Sequence, residues 1–225
     1  MRVEDNFSAI KDRIRQACER SGRNEEDIKV IAVTKYVSSE RTQEAINAGI
    51  EHIGENRIEG VHEKQSTING QVIWHFIGSL QTRKVKDVIT HIDYIHSLDR
   101  LSLAQEIQKR ASETVSCFVQ VNVSGEESKH GLSPEAVLLF VKELEQFDKI
   151  RVVGLMTMAP FTEDEQILRS CFKKLKDLQV EVSKLKLSNA PCEELSMGMS
   201  NDFEIAIEEG STFIRVGTAL VGEDS

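Results

Sequence analysis

Short runs of β-branched and apolar residues alternate along this chain with longer segments whose apolar positions recur every three to four residues. The short runs are IKVIAVTK (28–35), HIGEN (52–56), VIWHFIGS (72–79), YIHSLD (94–99), SCFVQVNVS (116–124), IRVVGLMTMA (150–159), EELSMGM (193–199) and TFIRVGTALVG (212–222). Each reads as a strand, with helix-like segments between them. Two of those segments carry explicit punctuation. SSERTQEAINAG (38–49) opens on serines suited to capping and stops at Gly49, and SPEAVLLFVKELEQF (133–147) places Pro134 directly after a capping Ser133. Eight βα steps in succession predict an α/β fold, a single (β/α)8 TIM barrel. An open doubly wound sheet shares the local rhythm. It rarely uses eight consecutive parallel strands, however, and its G-x-G-x-x-G fingerprint does not follow the first run here. Residues 4–21 stand outside the repeat as an extra N-terminal helix, with Phe7, Ile10, Ile14 and Cys18 on one stripe. That helix packs against the barrel, either across its N-terminal mouth or along its outer ring.

Composition narrows the picture. With only three prolines and no Gly/Ser-rich tract in 225 residues, the chain shows no internal linker, and residues 1–225 are read as one domain. A net charge of −9 argues against a nucleic-acid partner, whose backbone is bound by clustered cations. The lysines at 173, 174, 176, 184 and 186 alternate with Leu175, Leu178, Val182 and Leu185 and read as a solvated helix face. No run approaches the roughly 20 apolar residues of a membrane span, and the N-terminus is charged where a signal peptide is apolar. The expectation is a cytoplasmic protein without membrane contact. Cys18, Cys117, Cys171 and Cys192 lie far apart with no C-x-x-C pair, so neither a metal site nor a disulfide framework is expected, only buried free thiols.

Barrels of this kind carry chemistry at the C-terminal ends of their strands. The residues there are Lys35, Asn56, Ser79, Asn122, Met156, Met158, Ser200, Arg215, Gly217 and Thr218. Lys35 ends an apolar run on the same parity as Ile31 and Val33. Burial there would lower the pKa of its amine and ready it to attack an aldehyde; the alternative is a strand-edge lysine whose ammonium reaches water. Ser200 lies at the start of the helix-like NDFEIAIEEG, and RVG puts Gly217 and Thr218 at the end of the eighth strand. Loops after strands seven and eight commonly cradle a phosphate in this fold, although the same glycines also suit ordinary turns. An amine at one end and a phosphate site at the other fit pyridoxal 5′-phosphate, or a Schiff-base aldolase acting on a phosphosugar. Arg215 shares the parity of Phe213 and Gly217, which points it inward if that face is the interior. There it would meet a pyridine nitrogen or, alternatively, a carboxylate such as Glu55, Glu194 or Glu204.

With AVTK (32–35), GEN (54–56), WHFIGSLQ (74–81), QVNVSGEESKHGL (120–132), GLMTMAP (154–160) and LSMGMSNDFEIAIEEGSTFIRVG (195–217), the chain resembles the pyridoxal phosphate homeostasis family nearly end to end. The barrel of that family is similar to the N-terminal domain of bacterial alanine racemase. The resemblance implies a Schiff base between pyridoxal phosphate and Lys35, with Arg215 facing the pyridine nitrogen. It assigns the phosphate to Ser200, Gly217 and Thr218, and matches Asn56 and Met156 to positions lining the pocket. His75 matches too, as support for the site. One departure follows GSLQ, where the family tends to show Asn then Lys and this chain has Thr82, Arg83 and Lys84.

Three function classes remain open: a cofactor-holding homeostasis protein that delivers pyridoxal phosphate to apo-enzymes without turnover, a minimal pyridoxal enzyme such as a racemase, and a cofactor-free Schiff-base aldolase. Two positive charges about 4 Å apart repel by roughly 4 kcal/mol at an effective dielectric near 20. Arg215 would therefore keep the ring nitrogen unprotonated and weaken it as an electron sink, yet the resembling racemases also use an arginine. Those racemases add a β-rich domain that supplies a tyrosine base across a dimer. This chain ends soon after its eighth run, and its tyrosines are Tyr36 and Tyr94. The expectation is a monomer with no catalytic residue.

Overall fold

A computed structural model describes residues 2–126 and 128–222. Eight strands close into a barrel in chain order: β1 (Lys29–Val33), β2 (His52–Glu55), β3 (Ile73–Phe76), β4 (Tyr94–Leu98), β5 (Val115–Gln120), β6 (Ile150–Met156), β7 (Glu194–Met199) and β8 (Phe213–Val216). Every neighbouring pair is parallel, and β8 returns to β1 with Ile31 opposite Arg215. The TIM-barrel reading is therefore correct. Around the strands run α1 (Val3–Ser21), α2 (Ser39–Asn47), α3 (Ile58–Thr67), α4 (Val85–Val88), α5 (Leu101–Arg110), α6 (Val137–Glu143), α7 (Glu165–Ser183), α8 (Phe203–Glu208) and α9 (Thr218–Val221).

The hydrophobic pattern divides into two cores. The larger lies between strands and helices, filled by residues such as Ile53, Val85, Leu103, Val152, Leu175 and Ile214. The smaller is the barrel interior, where Ile31, Phe118, Met156 and Phe213 pack together from four strands. Parallel strands buried on both faces account for the near-continuous apolar runs in the sequence.

Three expectations need adjustment. The eighth run overreaches, because β8 stops at Val216 and Thr218–Val221 turns into α9. The fifth stops at Gln120, and beyond it Val121 only bridges to Leu132. Ser38 caps α2 by accepting the Arg41 N–H at 3.2 Å, but Ser133 forms no side-chain cap, since Pro134–Ala136 is a 3-10 turn before α6. Helix α1 lies along the outer ring against α8, α9 and α2. Its buried Asn6 donates to the Leu220 carbonyl at 2.9 Å, while Phe7, Lys11 and Ile14 border a cavity at the N-terminal mouth.

The four cysteines are buried and free, and burial pushes the thiols of Cys117 and Cys192 up to about 12, which makes them inert at neutral pH. No helix among the described residues is long and apolar enough to cross a membrane.

Gly154 is where β6 can be broken by one atom. The β5–β6 register slips between Cys117 and Phe118, and at this bulge Gly154 faces Glu194 of β7 so closely that a Cβ would collide with the Glu194 carbonyl. Relief requires backbone movement of a central strand. We expect Gly154→Ala to cost at least about 2 kcal/mol and to lower the thermal midpoint by roughly 4–8 °C, read by circular dichroism. A midpoint within about one degree of wild type would show that β6 and β7 can separate without cost.

Candidate functional site

At the C-terminal mouth the first feature is the turn after β1. The sequence puts Lys35 at the end of a buried strand; the structure ends that strand at Val33 and leaves Lys35 exposed in the turn beyond it. The Thr34 N–H still bonds to Gly54 of β2 at 3.1 Å, but the Val37 N–H closes onto the Thr34 carbonyl at 3.1 Å and turns the chain outward. Lys35 Nζ lies 4.9 Å from the centroid of the Tyr36 ring, which is 75% exposed. The burial weighed for this lysine is therefore absent, and the turn gives the alternative, an amine that reaches solvent.

The turn rests on a buried ion pair. Lys64 of α3 donates to Glu55 Oε1 at 2.8 Å and to the Thr34 carbonyl at 3.0 Å, and the Thr34 hydroxyl donates to the same carboxylate oxygen at 2.6 Å. Lys64 and Glu55 are both sealed from solvent. Gly60 leaves the room for this arrangement, since a Cβ there would sit 2.7 Å from Glu55 Oε2. A buried pair of this kind contributes geometry more than net stability: it holds the residue preceding Lys35.

Arg215 occupies the interior, 5% exposed. Its Nη1 donates to Ser196 Oγ at 2.6 Å and its Nη2 to the Thr157 carbonyl, just past β6, at 2.9 Å. None of the three carboxylates weighed as partners reaches it, because Glu55 pairs with Lys64, Glu194 with Lys29 and Glu204 with Arg13. Burial draws the guanidinium down from 12.5 to about 10, with the nearby Asp202 acting in the opposite sense. It stays a cation at neutral pH, hydrogen-bonded to neutral groups and facing the strand ends.

Behind Arg215 three imidazoles stand in line. His52 Nδ1 lies 2.9 Å from His75 Nε2, His75 Nδ1 lies 2.8 Å from His96 Nε2, and His96 Nδ1 lies 2.9 Å from Ser196 Oγ. Burial lowers all three pKa values, those of His75 and His96 well below 6.5; His96 and His52 add to the shift of His75, Arg215 and then His52 add to that of His96, and at His52 Lys29 adds to it while Glu51, Asp93 and Glu194 oppose it.

The remaining expected residues gather at the same end. Ser200 Oγ accepts the Gly217 N–H at 3.3 Å, tying the loop after β7 to the end of β8. Ser200 precedes α8 rather than opening it, because Asp202 is the N-cap and its carboxylate accepts the Met199 N–H at 2.5 Å. Gly217 is the N-cap of α9 and Thr218 its exposed first residue, where backbone N–H groups have no intrahelical acceptor. Met156 packs on Ile31, Phe118 and Phe213 in the interior. Asn56 lines a cavity of about 210 Å³ between the ends of β2 and β3, together with Ser79, Gln81 and Arg83.

Sequence reasoning passed over Thr34, Glu55, Lys64, His52, His96, Ser196 and Thr157 as a network. One signal was available: the second, third and fourth runs each contain a histidine on the inward parity.

Residues 6–225 match the family model described as alanine racemase, N-terminal domain, which sets the class of this barrel. The chain is 41% identical to the pyridoxal phosphate homeostasis protein of Aquifex aeolicus, with 99% of each chain covered. It superposes on an unknown protein from Bifidobacterium adolescentis with a TM-score of 0.92 at 34% identity, covering 97% of this chain and 94% of that one. On PipY of Synechococcus elongatus PCC7942, solved with PLP bound, the TM-score is 0.84 at 29% identity, with 98% and 100% covered. The chain belongs to the pyridoxal phosphate homeostasis protein family.

The buried histidines make stability depend on pH with a definite sign. His75 and His96 are neutral in the fold and have an ordinary value of 6.5 when exposed, so below that pH the unfolded chain binds more protons than the native one. Their contribution is complete above about pH 6.5 and declines as the pH falls, by up to about 1.4 kcal/mol per pH unit for each histidine. Urea midpoints measured from about pH 8 down to about 5 are expected to be level at first and then to drop. A level midpoint throughout would contradict neutral burial.

Proposed function

We propose that this protein binds pyridoxal 5′-phosphate at the C-terminal mouth as a Schiff base with Lys35, and holds and delivers the cofactor for vitamin B6 homeostasis without substrate turnover. The observation that carries this reading is Arg215: a buried cation at the mouth end of the barrel, anchored among the described residues by Ser196 and the Thr157 carbonyl. A guanidinium has five N–H donors, so donors remain for a neutral acceptor. The donor set fits the group. Among the described residues Lys35 has no hydrogen bond or ion pair, and its Nζ lies over the Tyr36 ring. The Ser200 hydroxyl, used as an acceptor by Gly217, keeps its own proton to give. Thr218 adds a second hydroxyl and the exposed N–H groups of a helix start.

When bound, the group supplies an aldehyde carbon to react with an amine, a phosphate dianion and a pyridine nitrogen. Lys35 offers the amine, Ser200, Gly217 and Thr218 hold the anion, and Arg215 donates to the nitrogen while Met156 and Asn56 line the pocket. A fixed cation beside that nitrogen opposes its protonation, which favours holding over turnover. In this reading the whole chain, 1–225, acts as one pyridoxal-phosphate-binding domain, a cytoplasmic monomer whose partners are apo-enzymes that need the cofactor.

Three measurements test it. The purified protein should show a visible absorption band that borohydride abolishes, leaving a label on Lys35; Lys35→Ala should lose the label yet retain some pyridoxal phosphate through the anion contacts. An equal label in Lys35→Ala would place the covalent link elsewhere. Replacing Ser200 and Thr218 together with alanine removes two hydroxyl donors to a charged acceptor, each worth about 1.5–3 kcal/mol, so affinity for pyridoxal phosphate should fall at least about tenfold while pyridoxal is little affected. Finally, cofactor should pass from the wild type to an added pyridoxal-dependent apo-enzyme, with no D-alanine formed from L-alanine. Racemisation at about 1 s⁻¹ or faster would mark the protein as an enzyme instead.

A further inference from the structure

The three histidines come from the first residue of β2, the middle of β3 and the middle of β4, so they climb the barrel wall as neighbouring strands stagger. The line then crosses to Ser196 on β7 and ends on Arg215. It is dry over most of its length. Tyr94 stacks on His75 at 4.6 Å between centroids, Phe118 stacks on His96 at 4.4 Å, and Phe213 sets its ring edge-on to His52 at 5.5 Å. Only His52 approaches solvent, at the cavity beside α1 that Lys29, Glu51 and Glu26 also line.

Arithmetic of donors and acceptors gives this line a direction. Arginine can only donate, so Ser196 Oγ accepts from Arg215, and its single proton needs an acceptor. Among the described residues the other partner of that oxygen is His96 Nδ1. His96 must then carry its proton on Nε2 and donate to His75 Nδ1; His75 in turn donates from Nε2 to His52 Nδ1. In that sense every buried nitrogen is satisfied, and the Nε2–H of His52 is left at the N-terminal cavity. In the opposite sense His96 and Arg215 would both donate to the serine oxygen, leaving its hydroxyl proton without a partner in a site closed to water. An added proton anywhere on the line turns an acceptor nitrogen into a donor and sets two donors against each other.

We infer that His52, His75, His96 and Ser196 are positioning residues, a one-way hydrogen-bond relay of neutral imidazoles that locks the rotation of Arg215 and keeps its free N–H groups aimed at the barrel mouth. A serine hydroxyl that donates onward is a better acceptor, and hydrogen bonds in a row polarise one another, so the relay tightens the Ser196–Arg215 contact. The charged groups facing the line are Lys29, Glu51, Asp93 and Glu194 at the His52 end and Arg215 at the other, with Tyr94 alongside. Glu194 is already paired with Lys29 at 2.9 Å. The consequence for pyridoxal phosphate rests on the function proposed above; the hydrogen-bond direction does not.

The test therefore has a cofactor-free arm and a cofactor arm. In nitrogen-15 NMR of the ligand-free wild type, three of the six histidines should be the Nε2–H tautomer with an unprotonated Nδ1, and His75 and His96 should not titrate between about pH 5 and 8. His62, His91 and His130 serve as internal controls. An Nδ1–H tautomer at His96, or ordinary titration of His75 or His96, overturns the relay, and this reading needs no variant to fold. Ser196→Ala cuts the line from Arg215 while leaving the Thr157 contact. It should change the nitrogen-15 signals of His96, shift the absorption of bound pyridoxal phosphate and weaken its binding about tenfold, and Ser196→Thr should restore all three. Unchanged His96 signals in Ser196→Ala would also overturn the proposal. If the wild type binds no pyridoxal phosphate, the proposed function fails on that arm, and the ligand-free spectra still decide the relay.

Discussion

A guanidinium almost wholly enclosed by a closed barrel must take its first acceptors from the barrel's own groups, because a buried charge with no partner is far too costly to keep. Arg215 is in that position. Its two anchors are a serine hydroxyl and a main-chain carbonyl, and satisfying the serine in turn commits His96, His75 and His52. The aromatic filling of the interior, with Phe118, Phe213 and Tyr94 against the imidazoles, keeps that line dry.

The same end of the barrel uses a second buried charge differently. Glu55 and Lys64 neutralise each other beneath the turn that presents Lys35, and Thr34 joins them through both its hydroxyl and its carbonyl. One cation is thus paired with a carboxylate and supports a rim; the other has no ion pair among the described residues. That difference gives the mouth a permanent positive charge at Arg215 together with an uncommitted amine at Lys35.

In the function proposed above, an anionic aromatic aldehyde meets Arg215 and Gly217 from the end of β8, Ser200 from the loop after β7 and Lys35 from the turn after β1. Because Ser200 and Gly217 are joined to each other while Lys35 sits on a separate turn, loss of the covalent contact and loss of the anion contact are separable in principle. The rim beyond carries exposed Tyr36, Met158, Phe161 and Met199, so the mouth is polar within and apolar at its edge.

The barrel was legible because strand and helix periods are local properties of the chain: eight apolar runs and the intervening helical stripes specify closure without knowledge of any contact. Inward parity also placed Arg215 correctly, since alternation along a strand depends only on counting. Where counting ran past a strand end it failed: Lys35 turned outward after Val33 because a backbone bond between Val37 and Thr34 diverts the chain, and Thr218 became helical instead of extending β8. The carboxylate partners weighed for Arg215 were wrong for a related reason. Which groups meet across a barrel depends on strand stagger and on competition among pairs, so Glu55 went to Lys64 and Glu194 to Lys29. The sequence by itself determined the fold and which residue types lie at the strand ends. Only the tertiary structure decided which of them touch, because histidines on three strands and a serine on a fourth become one line solely through the closure of the sheet.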